Sequence, residues 1–296
     1  MENFIIVTDS CADLEKDLRD KYQIEYIPMG FTVGDKNYPA DLDWADIPVK
    51  QFYDIIRGGT RIITNQINEP TFTERFSKYL EEGKDVLYIA CSSALSGSYK
   101  SGADAAAKLN EKYENNKVVC VDSLMSCYGL GILCITASEM REWGKTVDEV
   151  AEWLEANKLT MNQECCVDSL KYLKMAGRVS ASSAFFGGLL NIKPLLISDA
   201  KGQNFAIEKV KGRKNSIDRV AARFAERYED VPYQHVFVSH SDCAEDAEYF
   251  KTALTAALPD KNLDIHVGYI GPIVGASVGP GTLAVYFYGK KVTENA

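Results

Sequence analysis

Short apolar runs alternate with segments of helical period through the first half of the chain. Phe4–Thr8, Val86–Ala90 and Lys117–Val121 have the length of buried strands. Between them lie stretches whose apolar residues recur every three to four positions, such as Phe72, Phe76, Tyr79 and Leu80 after Pro70. Strands that alternate with helices imply right-handed βαβ units and a mostly parallel sheet. Glu25–Val33 reads as one further strand and Asp46–Ile56 as a further helix, stopped by Gly58-Gly59. Ser126–Trp143 is apolar nearly all round, which predicts a buried helix. Thr146-Val-Asp-Glu149 is a capping box and starts another.

The pattern restarts near Leu159–Glu164. Ile192–Ser198 and Asn204–Lys209 flank Asp199-Ala-Lys-Gly202, a hairpin connection. Lys214–Tyr228 is amphipathic, with Ile217, Val220, Phe224 and Tyr228 on one face. Gly271–Gly281 reads as a glycine-proline loop with at most one helical turn, and Leu283–Tyr288 as the last strand. Hairpins exclude an all-parallel sheet here. The expected fold is therefore α/β with two domains: residues 1–160 with a mostly parallel, Rossmann-like sheet and flanking helices, and residues 161–296 with a mixed sheet.

Polar residues gather where the strands of the first half end: Asp9-Ser10, Thr64-Asn65-Gln66, Ser92–Ser98 and Asp122-Ser123. In open α/β sheets ligands bind beyond the carboxyl ends of the strands. The stretch Cys91-Ser-Ser-Ala-Leu-Ser-Gly-Ser98 sits at a strand-to-helix junction, where unpaired N–H groups and the helix dipole favour an anion. Capping the helix accounts for one serine there, not four.

Composition narrows the partners. The 296-residue chain is 46% hydrophobic and 25% charged, with a net charge of -9, which argues against nucleic acid or an anionic membrane as a standing partner. Met1-Glu-Asn-Phe4 leads straight into a strand with no secretory signal, and no run has the length of a membrane span. The eight cysteines are scattered without a C-x-x-C pair, so reduced, buried thiols and a cytoplasmic location are expected. His235, His240 and His266 have no metal-type spacing to a cysteine, so no zinc site and no cofactor are expected.

Three chemistries fit these residues. Ser96 serves as an anion-binding hydroxyl, or as the nucleophile of an acyl hydrolase or transferase with His240 or His266 as base. It lies in Leu95-Ser96-Gly97, not in a G-x-S-x-G elbow. Arg178 and Arg213 offer guanidinium groups to a carboxylate or phosphate, and a sugar phosphate would suit the same strand ends. Phe185-Phe-Gly-Gly-Leu-Leu190 reads as core with a cavity edge conceivable at its glycines. The carboxylate pairs of Asp41–Asp46, Glu81-Glu82 and Glu245–Glu248 read as solvated charge.

Taken in order, the motifs resemble those of the DegV family of bacterial fatty-acid-binding proteins. Val7-Thr-Asp-Ser-Cys-Ala-Asp-Leu14 is similar to its T-D-S-x-A-D-L opening, and Thr64-Asn65-Gln66 to its T-S-Q. Ser93-Ala-Leu-Ser-Gly-Ser-Tyr-Lys-Ser101 resembles S-x-L-S-G-T-Y-x-S, with Asp122-Ser123 following. Leu170–Ser180 resembles L-x-x-L-x-x-G-R-I-S, Asn191-Ile-Lys-Pro194 the x-x-K-P stretch, and Gly271–Gly281 the last glycine-rich loop. The resemblance covers nearly the whole chain. It implies a non-catalytic protein that buries a long-chain fatty acid and presents it to a separate fatty acid kinase for phospholipid synthesis, with at most transient membrane contact. It also implies a carboxylate held by Thr64 and Ser96, with Asn65, Ser93, Gly97 and Ser277 around it. Arg178 and Arg213 would belong to the head-group or partner network. Two positions depart from the family: Asn65 replaces a serine, and Ser277 stands where a histidine is usual, which bears on transfer more than on lipid binding.

Overall fold

A computed structural model describes residues 4–182, 185 and 191–295. The segment Phe185–Leu190, read as core with a possible cavity edge, lies outside the described residues apart from Phe185. The fold is α/β. In chain order, its first strands are β1 (Phe4–Asp9), β2 (Ile24–Ile27), β3 (Gly30–Val33), β4 (Lys36–Pro39), β5 (Ile62–Asn65), β6 (Asp85–Ala90) and β7 (Val118–Asp122). Helices α1 (Lys16–Tyr22), α2 (Val49–Arg57), α3 (Glu69–Glu81), α4 (Ser98–Lys112), α5 (Tyr128–Glu142) and α6 (Val147–Asn157) are interspersed. The later strands are β8 (Met161–Cys166), β9 (Ile192–Ser198), β10 (Asn204–Lys211), β11 (Val236–His240), β12 (Ile265–Tyr269) and β13 (Leu283–Tyr288). With them come α7 (Lys171–Ala176), α8 (Arg213–Arg227), α9 (Ala244–Ala257) and α10 (Pro272–Val278).

Strands β2-β1-β6-β7 form a parallel sheet in that order. The strand order reverses between β1 and β6, so the crevice beyond their carboxyl ends is the topological switch point of this sheet. The six-stranded sheet, β10-β9-β8-β13-β11-β12, is antiparallel except for the β11–β12 pair.

Two local readings of the sequence are corrected. Glu25–Val33 is not one strand. Pro28 has no N–H to continue a ladder, and the Met29 N–H turns to the Ser10 hydroxyl at 2.9 Å. The chain thus leaves the parallel sheet after β2 and enters an antiparallel sheet ordered β4-β3-β5. The Gly271–Gly281 stretch is likewise more than a loop. Pro272 occupies the first turn of α10, where its missing N–H costs nothing, and Gly279 ends the helix at φ 77°.

The large sheet is sided. Cys165, Leu196 and Ala284 are cross-strand neighbours and join the core shared with the first half of the chain. Their chain neighbours Cys166, Leu195, Leu283 and Val285 point the opposite way and pack with Ile217, Val220 and Phe224 of α8 and Phe250 and Leu254 of α9. This alternation is the period-two consequence of the pleat. Helix α5 is buried on all sides, as its composition predicts, and touches β1, β6, β8, β11 and β13. Leu130→Ala in α5, at a fully buried position, is expected to cost about 2–5 kcal/mol. Urea denaturation checks this, and an unchanged midpoint would show that α5 does not carry the core.

Candidate functional site

The site grows from the ends of β1 and β6. Asp9 is fully buried, and one oxygen accepts the Cys11 N–H at 2.9 Å while the other accepts the Cys91 N–H at 2.9 Å and the Tyr88 hydroxyl at 3.2 Å. Burial raises its pKa, and these donors pull the other way. The two strand ends are thus tied to one carboxylate. Beyond Cys91, the Ser92 N–H donates to Met125 O at 2.9 Å and its hydroxyl to Gly202 O at 2.8 Å. That second bond links the loop to the β9–β10 hairpin.

The serines divide by role. Ser98 is buried and its hydroxyl accepts the Ile67 N–H at 3.1 Å, which docks the segment after β5 onto the start of α4. Ser101 accepts from the Gln66 amide at 3.3 Å. The Ser96 hydroxyl lies 3.1 Å from that of Ser98 and accepts the Ser98 N–H at 3.2 Å, so it caps the first turn of α4 from a half-buried position. Gly97 is required beside it, because a Cβ there would overlap the Gln66 amide.

These elements wall a cavity of about 450 Å³. Thr64, Asn65, Ser96, Gly97, Arg178 and Ser277 all line it. Thr64 is placed by β5 opposite Phe31 of β3, and among the described residues its hydroxyl has no hydrogen-bond partner. The Asn65 amide donates to the Thr32 hydroxyl at 3.4 Å. The Ser277 hydroxyl donates back to Ile273 O at 3.3 Å, inside α10. Arg178 is exposed, and its Nε donates to Leu95 O at 3.1 Å while Nη1 donates to Ala176 O. Apolar side chains, Val167, Leu173, Leu196 and Ile270 among them, line the same cavity.

Two of the expected residues lie elsewhere. Ser93 is exposed, outside the cavity lining, and its N–H donates to Asp122 Oδ1 at 3.1 Å. Arg213 opens α8 on the other face of the large sheet. It pairs with Asp246 at 2.8 Å and faces the sulfurs of Cys166 and Cys243. Gln163 and Asn204 line the cavity without having been anticipated; they are joined by a 3.3 Å hydrogen bond, and Asn204 donates to Arg178 O at 3.0 Å. A signal was present: Asn162, Gln163 and Glu164 are polar residues within the wholly buried strand β8.

No histidine serves Ser96. His235 contacts Glu139, His266 contacts Glu15 and Tyr128, and His240 accepts the Cys243 N–H at 3.3 Å and packs on Tyr269. The residues around Ser96 can therefore bind an anion through hydroxyls but offer it no imidazole base.

The family model described as "Uncharacterised protein, DegV family" matches residues 3–290. The chain belongs to the DegV family. A DegV domain-containing protein of Clostridium perfringens is 38% identical over 289 residues, covering 98% of each chain. The structure of a DegV family protein from Thermus thermophilus, described for its fatty acid binding, superposes with a TM-score of 0.85 at 26% identity, covering 97% of this chain and 100% of that one. The structure of DegV of Bacillus subtilis, described as a fatty acid binding protein, gives 0.80 at 27% identity over 98% and 100%. Among the described residues no helix is long and apolar enough to cross a membrane.

Asp13, outside the cavity lining, has a φ of 55°. It is 4% exposed, and neither oxygen has a hydrogen-bond partner. Gly271, just before α10, leaves room for its carboxylate. Burial pushes this carboxyl up to about 8, while the nearby Cys127 thiol and Gly271 N–H pull against the rise without reaching hydrogen-bond geometry. A carboxyl raised on folding contributes stability below its unfolded value of about 4 that is lost as the pH climbs. Stability is therefore expected to fall between pH ~4 and pH about 8, with a slope from this group of at most ~1.4 kcal/mol per unit. Asp13→Asn should flatten that slope. Parallel pH–stability curves for the two proteins would contradict it.

Proposed function

We infer that this protein is a fatty-acid carrier rather than an enzyme. The long-chain acid would place its carboxylate at Thr64 and Ser96 and its chain along the apolar side chains of the cavity. The observation that carries the reading is the lining itself: the hydroxyls of Thr64, Ser96 and Ser277 and the Arg178 guanidinium share one cavity with the aliphatic side chains of Val167, Leu173, Leu196 and Ile270. Related structures described as fatty acid binding support it. Burying a methylene is worth about 0.8 kcal/mol, so roughly fourteen of them supply on the order of 10 kcal/mol before ordering costs. The head group then needs only a few donors.

The cavity faces both the strand ends of the first half and one face of the large sheet, which fits a ligand held between two domains, residues 1–160 and 161–296. Arg178, exposed at the rim, is the cation best placed to meet a partner fatty acid kinase. Arg213, paired with Asp246 on the far face of the sheet, is better read as a structural ion pair. The eight cysteines are free, which suits a reducing, cytoplasmic setting. No cofactor is required for this function.

Thr64→Val combined with Ser96→Ala is expected to weaken oleate binding by about 10-fold or more, the worth of roughly one or two hydrogen bonds to a charged group. Fluorescent fatty-acid displacement measures it. Equal affinities for the double variant and the wild type would remove these residues from the head-group site.

A further inference from the structure

Part of the cavity wall is sulfur: Cys11, Met29 and Cys91 all line it. Cys11 follows β1 and Cys91 follows β6, so residues eighty positions apart in sequence meet at the switch point of the parallel sheet. Their sulfurs and a carboxylate oxygen of Asp9 all lie within 4.8 Å of one another. The Met29 sulfur is 3.5 Å from that of Cys11. All four side chains are at most 3% exposed, and Cys11, Met29 and Cys91 line the cavity, which gives a small ion a way in.

We propose that Cys11, Cys91 and Met29 form a binding site for a soft monovalent metal ion, Cu(I), in the cavity wall. Two thiolates and a thioether are the donors that select Cu(I) over harder cations. A trigonal centre with metal–sulfur bonds of about 2.3 Å keeps its sulfurs about 4 Å apart, against 3.5 Å between Cys11 and Met29 and at most 4.8 Å between Cys11 and Cys91 here. Asp9 is a positioning residue here, because its oxygens are occupied by the N–H groups of Cys11 and Cys91 and the Tyr88 hydroxyl. It fixes both cysteine backbones, as outer-shell groups do at metal sites. Among the described residues no other three cysteine, histidine or carboxylate groups converge in this way.

The thiols enter the reaction protonated, as free cysteines are at neutral pH. Binding replaces two thiol protons, released to solvent, by one Cu(I). Neither copper nor sulfur changes oxidation state. Retention therefore strengthens as the pH rises.

The test uses the full-length protein stripped of lipid, titrated anaerobically with Cu(I) against bicinchoninate. One equivalent should be withheld from the chelator. Cys11→Ala and Cys91→Ala should each abolish retention, Met29→Leu should lower affinity by at least about 10-fold, and Cys120→Ser, outside the cavity, should leave it unchanged. Copper X-ray absorption on the wild type, which needs no variant to fold, should show only sulfur neighbours. Complete transfer of copper to the chelator, retention that survives loss of both cysteines, or nitrogen or oxygen neighbours would overturn the assignment.

Discussion

One buried carboxylate organises this molecule. Asp9 takes the N–H groups that open the chain after β1 and after β6, together with the Tyr88 hydroxyl. A charge-bearing group without such donors would be costly at that depth, so its burial and its hydrogen bonds stand or fall together. By holding two parallel strand ends at one spacing, it sets where the serine-rich segment begins. Ser92 then reaches across to Gly202, and Ser98 receives the Ile67 N–H. The hydroxyl rim of the cavity is a consequence of those anchors.

The opposite wall follows from the pleat of the large sheet. Alternate residues of β8, β9 and β13 face the cavity, while their neighbours pack under α8 and α9. A sheet covered by helices on one face and by the first half of the chain on the other leaves a cavity at their seam, lined by polar and apolar side chains alike. Helix α10 closes it and carries Ser277 into the lining. Where the family resemblance leads one to expect an imidazole, the Ser277 hydroxyl bonds to its own helix at Ile273. On the fatty-acid reading proposed above, the carboxylate would find no imidazole there and would rely on the hydroxyls of Thr64 and Ser96.

Much of this was legible in the sequence wherever a repeat declares itself. The Thr146 capping box, the amphipathic face of α8 and the all-round apolar α5 appear as read. Local chemistry hid other parts. Pro28 divides an apolar run between two sheets, and the glycines of 271–281 mask a helix that Pro272 initiates. Neighbouring serines look alike in sequence, yet Ser93 turns outward and Ser96 faces the cavity. A basic cluster at 211–214 does not reveal which face of a sheet it will occupy; Arg213 lies at the start of α8 and pairs with Asp246. Contacts between distant positions, such as Cys11 with Cys91 at the switch point and Gln163 with Asn204 in the large sheet, pair residues that no local pattern matches to one another.

The reading of the cavity as a fatty-acid site is tested most directly by native mass spectrometry of the purified protein, followed by analysis of the extracted lipid. One long-chain fatty acid per chain, lost on denaturation and regained on exposure to oleate or palmitate, is the expected result. A protein that remains at its bare mass in the presence of either acid, or that carries a phosphorylated small molecule instead, would contradict it.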